Sequence, residues 1–130
     1  MWRYFNPNPT YRGGTGDCVI RAICKLTGKD WYTVYWDLCD LGALYGDWGN
    51  SNSVWREYLR DLGYAQRLIP NTCPACYTVK EFCRDNPRGA FLLATGGNGG
   101  NHAVTVINGD YFDSWDSGNE VPIFYFTIGG

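Results

Sequence analysis

The stretch HAVTVINGDYFDSW, residues 102–115, reads as two strands joined by a turn. β-Branched and aromatic residues fill His102 to Ile107 and Tyr111 to Asp116. Asn108-Gly109 between them is the strongest short hairpin signal, because both residues accept the positive φ of a tight turn. With that turn, Ile107 pairs with Asp110, Val104 faces Asp113 and His102 faces Trp115. His102, Asp113 and Trp115 then share one face, with Asp113 diagonal to His102 and within reach of its ring. The carboxylate would fix the imidazole tautomer and stabilise the imidazolium, and Trp115 would shield the pair from water. A three-residue turn would shift the register by one and bring Asp116 to that face instead; the Asn-Gly pair favours Asp113. Aspartate is depleted in strands, so its position after Phe112 points to a specific role.

Outward from the hairpin, Ala90 to Thr95 and Val121 to Ile128 also read as strands, and Gly96 to Asn101 as a glycine-asparagine loop. The earlier chain has a helical period. A helix is expected from Asp17 to Thr27, closed by Gly28, and a second from Asp30 to Leu41 with Asp30 as N-cap. A third starts near Ser51 to Ser53 and stops at Gly63. A fourth covers Val79 to Asp85, with Thr78 and Glu81 at capping-box spacing. The first sixteen residues read as irregular. Helices first and strands afterwards predict an α+β fold, N-terminal helices packed on a C-terminal antiparallel sheet, in a single domain over residues 1–130.

At 130 residues and 45% hydrophobic composition, the chain can bury a core without metal or cross-links. Its 11 basic and 13 acidic residues are evenly spread, so no basic stripe suits nucleic acid. No window has the apolar length of a membrane span, and the N-terminus lacks a signal-peptide core. The expectation is a cytoplasmic protein with neither nucleic-acid nor membrane partner. Its six cysteines then read as free thiols, Cys24 and Cys39 serving as small hydrophobes within helical stripes.

Cys18 stands apart from the other five. It follows a glycine-rich loop and enters the first turn of the first helix. Unpaired N–H groups and the positive end of the dipole favour a thiolate there, and the Cys18 N–H could bind an oxyanion. The competing reading is a buried, inert cysteine. Asp17 would raise the thiol pKa by its charge unless it caps the helix. Arg21 could pair with Asp17 or with another acid. Trp31, Trp36, Trp48 and Trp55 read as core residues, although Tyr45 and Trp48 could line a cleft if the loop from Gly42 to Asn50 flanks it.

Gly16-Asp17-Cys18 before a helix, then His102-Ala103-Val104, then Asp113-Ser114-Trp115, together resemble the papain-like cysteine peptidases. The likeness covers the start of the first helix and the last third of the chain. It is nearest to small papain-like proteins of bacteria and phages and to bacteriocin-processing peptidases, in which aspartate replaces the family's asparagine. The resemblance implies a papain-like fold and a cysteine peptidase or amidase-type hydrolase with a Cys18–His102–Asp113 triad. It also implies a peptide or protein substrate and no cofactor. Where the family places a glutamine as oxyanion donor, this chain has Arg12; Asn6, Asn8 or Thr10 could substitute, with Asp17 and Trp115 beside the reacting groups.

Two alternatives stay open. One is a non-catalytic binding protein on the same fold. The other is a thiol-redox or zinc protein built on Cys73-Pro74-Ala75-Cys76, with Cys83 as a third zinc ligand.

Overall fold

The computed structural model describes residues 1–11, 15–96 and 102–128. Its elements in chain order are β1 (Trp2–Tyr4), α1 (Cys18–Thr27), α2 (Trp31–Tyr45), α3 (Asn52–Asp61), β2 (Tyr64–Leu68), α4 (Val79–Asp85), β3 (Ala90–Gly96), β4 (His102–Ile107), β5 (Asp110–Asp113) and β6 (Val121–Ile128). The chain is α+β, with one six-stranded sheet ordered β1-β5-β4-β3-β6-β2.

Local chemistry sets the helix ends. The Asp30 carboxylate accepts the Thr33 N–H, and the Thr78 hydroxyl accepts the Glu81 N–H. Gly28 and Gly46 close α1 and α2 in the left-handed region. At the β4–β5 turn, Asn108 and Gly109 both have positive φ, and Ile107 pairs with Asp110, Val106 with Tyr111 and Thr105 with Phe112. This is the register expected from the Asn-Gly turn.

Alternation along the strands splits the core in two. Leu92, Ala94 and Ala103 pack beneath α1, α2 and α3 with Ile23, Leu38, Leu59 and Trp55. Leu93, Val104, Val106 and Tyr111 meet Val79, Phe82 and Cys83 of α4 on the other side. The Thr105 hydroxyl donates to the Ala22 carbonyl at 2.6 Å and stitches α1 to β4.

Several expectations are corrected. The sheet is mixed rather than antiparallel, because β1 runs parallel to β5 at one edge. The first sixteen residues are therefore not all irregular. β2, half-exposed and partly polar, was absent from the sequence reading and pairs antiparallel with β6. The strand expected to reach Asp116 ends at Asp113. Of the four tryptophans read as core, only Trp55 is fully buried; Trp36 and Trp48 are 60% and 81% exposed. Cys73 and Cys76 are joined in a disulfide rather than free. The Thr72 hydroxyl bonds both the Ala75 carbonyl and the Tyr77 N–H, closing a turn that brings the two Cα atoms to 4.1 Å. A stable disulfide is commoner in oxidising compartments than in the cytoplasm. No helix among the described residues is long and apolar enough to cross a membrane.

Candidate active site

The starts of α1 and β4 and the end of β5 meet at one end of the sheet. Cys18 is the first residue of α1 and is partly buried. One turn further on, Ala22 is fixed to Thr105 of β4, so the helix start lies beside the strand start. Cys18 lies close enough to the His102 side chain and the Ala103 backbone N–H for both to favour its thiolate.

His102 Nε2 lies 2.5 Å from Asp113 Oδ2. That contact leaves Nδ1 as the ring nitrogen for the thiol. The imidazole is largely enclosed, and Trp115 covers it with ring centres 4.8 Å apart. Asp113 is 2% exposed and fully hydrogen-bonded. Besides His102, it accepts the Ser117 hydroxyl at 2.6 Å, the Ser114 N–H at 2.8 Å and Arg21 Nη2 at 3.4 Å. Four donors thus converge on one buried carboxylate. Asp116 is engaged elsewhere, by the Tyr111 hydroxyl and the Gly118 N–H.

Electrostatics single out one thiol. Burial raises the Cys18 pKa, but the His102 hydrogen bond and charge, the Ala103 N–H and the Arg21 charge outweigh it and hold it below the ordinary value. For His102, burial favours the neutral ring, yet hydrogen bonds and charge from Asp113 and Cys18 push its pKa up to about 9. Both shifts favour the thiolate–imidazolium form of the pair. Cys24 goes the other way: burial and the charges of Asp30 and Asp17 push it up to about 12. Burial also raises Cys83.

Arg21 ties the constellation together. It bridges Asp17, one turn back on its own helix, and Asp113 on β5. Asp17 does not cap α1 with its side chain. Its buried carboxylate instead also accepts Trp31 Nε1 at 3.0 Å and Asn8 Nδ2 at 3.3 Å. Burial works against its ionised form, but Thr15, Trp31, Arg21 and Asn8 together keep its pKa below the usual carboxylate value.

The proposed oxyanion donors divide. Arg12 lies outside the described residues. Asn6 accepts the Asn8 N–H, and Asn8 accepts both the N–H and hydroxyl of Thr10. These three residues form a self-bonded turn beside Asp17. The Cys18 N–H lies at the start of α1, among the donors that a helix leaves unpaired within itself. For zinc, Cys73 and Cys76 are bonded to each other and Cys83 is buried in the α4 core. No group of three metal-ligating side chains is present among the described residues.

Ser117 escaped sequence reading, because it lies in a loop with no periodicity to mark it. The aromatic face of α2 was also misread. Tyr32, Tyr35, Trp36 and Trp48 line a groove of about 640 Å³ that reaches Gly16, Asp17 and Val19 around the thiol. Gly49 makes this possible by crossing α2 closely: a Cβ there would lie 2.9 Å from the Leu38 carbonyl carbon. Tyr45 is exposed but is not among the groove residues.

Comparison with protein-family models, curated proteins and solved structures gives no match.

Proposed function

We propose that the chain is a thiol hydrolase of papain-like design, cleaving a peptide or amide bond. The carrying observation is the 2.5 Å contact between Asp113 and His102, with the Cys18 thiol at a helix N-terminus close enough to that ring for it to lower the thiol pKa. The papain-like reading draws support from the order of the parts: thiol on the first long helix, then histidine and aspartate on successive strands.

The chemistry follows from the poised pair. The Cys18 thiolate attacks the substrate carbonyl, forming a C–S bond and an oxyanion that the Cys18 N–H can stabilise. As the tetrahedral species collapses, the C–N bond breaks and the His102 imidazolium gives its proton to the leaving amine. Water then attacks the thioester, with His102 taking its proton. The C–S bond breaks, the carboxylic acid leaves, and the Cys18 thiolate is regenerated beside a His102 that carries the proton taken from water. Asp113 holds the ring throughout and stabilises its positive charge in the steps where it is protonated, without itself taking up the proton.

Iodoacetamide labelling of each cysteine, read by mass spectrometry across pH, tests this. Cys18 is expected to label below the ordinary thiol pKa, reach a plateau, and change rate again near pH 9 as His102 loses its proton. In His102→Ala the early step should vanish, leaving one titration at or above the ordinary thiol value because burial remains. Cys24 and Cys83 should label only at high pH. A Cys18 that reacts no faster than Cys39, or identically without His102, would refute the proposal and move attention to the Cys73–Cys76 disulfide.

A further inference from the structure

A small cavity of about 40 Å³ shares Val19 with the aromatic groove and has His102 in its wall. Among the described residues its remaining polar lining is Asn52, Thr95 and Arg56, with no acid. Arg56 is held with its guanidinium 4.5 Å above the Phe124 ring, and its Nε is buried without a hydrogen-bond partner. No carboxylate among the described residues pairs with it: Glu57, the next residue, pairs with Arg60 at 3.5 Å. Arg21, the other arginine beside His102, has two carboxylates.

A buried guanidinium Nε with no partner is costly to keep unless something fills it. The fork matches a planar, two-oxygen anion. The cavity holds a group of about three heavy atoms, since one water needs roughly 10–15 Å³ of such space. Asn52 uses its carbonyl oxygen to accept Trp55 Nε1, so its amide N–H groups can also donate into the cavity. The lining is mostly apolar, and the Arg56 cation and the Asn52 amide are the donors it sets beside the His102 imidazole.

We propose that Arg56 is a specificity-determining residue that binds a carboxylate of the substrate in this cavity. The proposal rests on the Cys18–His102 reading. The site would select peptides carrying an acidic group near the scissile bond, supplied either by an acidic side chain or by the chain terminus.

The probes are two matched pairs of Cys18 alkylators. One pair is N-iodoacetyl-glycine and its amide, presenting a terminal carboxylate or none. The other is the N-iodoacetyl α-amides of glutamic acid and of glutamine, presenting a side-chain carboxylate or its neutral isostere. The acid of at least one pair should label Cys18 about tenfold faster than its neutral partner, the low end of what a charge-assisted hydrogen bond contributes; which pair responds identifies the source. Arg56→Met keeps the stem over Phe124 and should abolish the preference while leaving the iodoacetamide rate unchanged. Arg56→Lys, which keeps charge but loses the fork, should retain part of it. Equal rates within both pairs in wild type, or a preference that survives in Arg56→Met, would overturn the assignment. The ratio is readable at high pH, where any cysteine is a thiolate, so failure of Arg56 selection is distinct from failure of His102 activation.

Discussion

Asp113→Ala is expected to lose about 3–5 kcal/mol of stability, the usual result of stripping one partner from a buried ionic cluster, and roughly 10³-fold or more in turnover. The variant leaves the Arg21 cation facing only Asp17, and orphans Ser117 and the Ser114 N–H. His102 loses the contact that orients it. Its pKa should fall from about 9 towards the ordinary value. A raised histidine pKa contributes stability that is complete below the unfolded value and is lost as pH rises through the folded one. The His102 part of the wild-type advantage should therefore be largest below about pH 6.5 and fade through about pH 9. Urea denaturation at pH 6 and 9.5 checks this. Asp113→Asn, which can still accept from Ser114 and Ser117, should lose less stability than alanine. A variant as stable and as reactive as wild type would mean that the cluster neither supports the fold nor orients the ring.

Arg21→Met should have the next largest effect, about 3 kcal/mol, because it leaves two buried carboxylates without their shared cation. Here the pH dependence has the opposite sign. Burial opposes ionisation of Asp17, but Thr15, Trp31, Arg21 and Asn8 depress its pKa. A depressed carboxylate pKa gives stability that is present above the unfolded value and lost as pH falls through the folded one. The gap between wild type and Arg21→Met should thus be wide at pH 7 and narrow at pH 3. A gap of equal size at both pH values would place the effect in packing of the arginine stem instead.

Much of the arrangement was legible because its signals are local. The Asn108-Gly109 turn fixed a register, the register chose Asp113 over Asp116, and the four helices carried caps or stops at their ends. What escaped depends on residues far apart in the chain. β1 is three exposed residues whose partner, β5, is over a hundred positions away, and no period of two can be read from so short a segment. β2 follows Gly63 with a mixed polar sequence and becomes a strand only because β6 is there to pair with it. Trp36 and Trp48 sit at plausible core positions, yet α2 shows the solvent a broad aromatic face. Composition cannot say which side of an all-round apolar helix is covered. The pairing of Cys73 with Cys76 depends on a turn closed by Thr72, which spacing alone does not reveal.

Asp113 is gripped through its backbone as well as its carboxylate. Its carbonyl oxygen accepts the Phe5 N–H at 2.9 Å and Trp2 Nε1 at 3.1 Å, both from the ribbon at the outer margin of the sheet. Such margins fray at lower free energy than the interior. Each fraying event would release the residue that steadies His102, so the fraction of time the relay stays assembled is set by a ribbon that touches neither sulfur nor imidazole. Amide exchange at Phe5 would then act as a clock for the lifetime of the competent site.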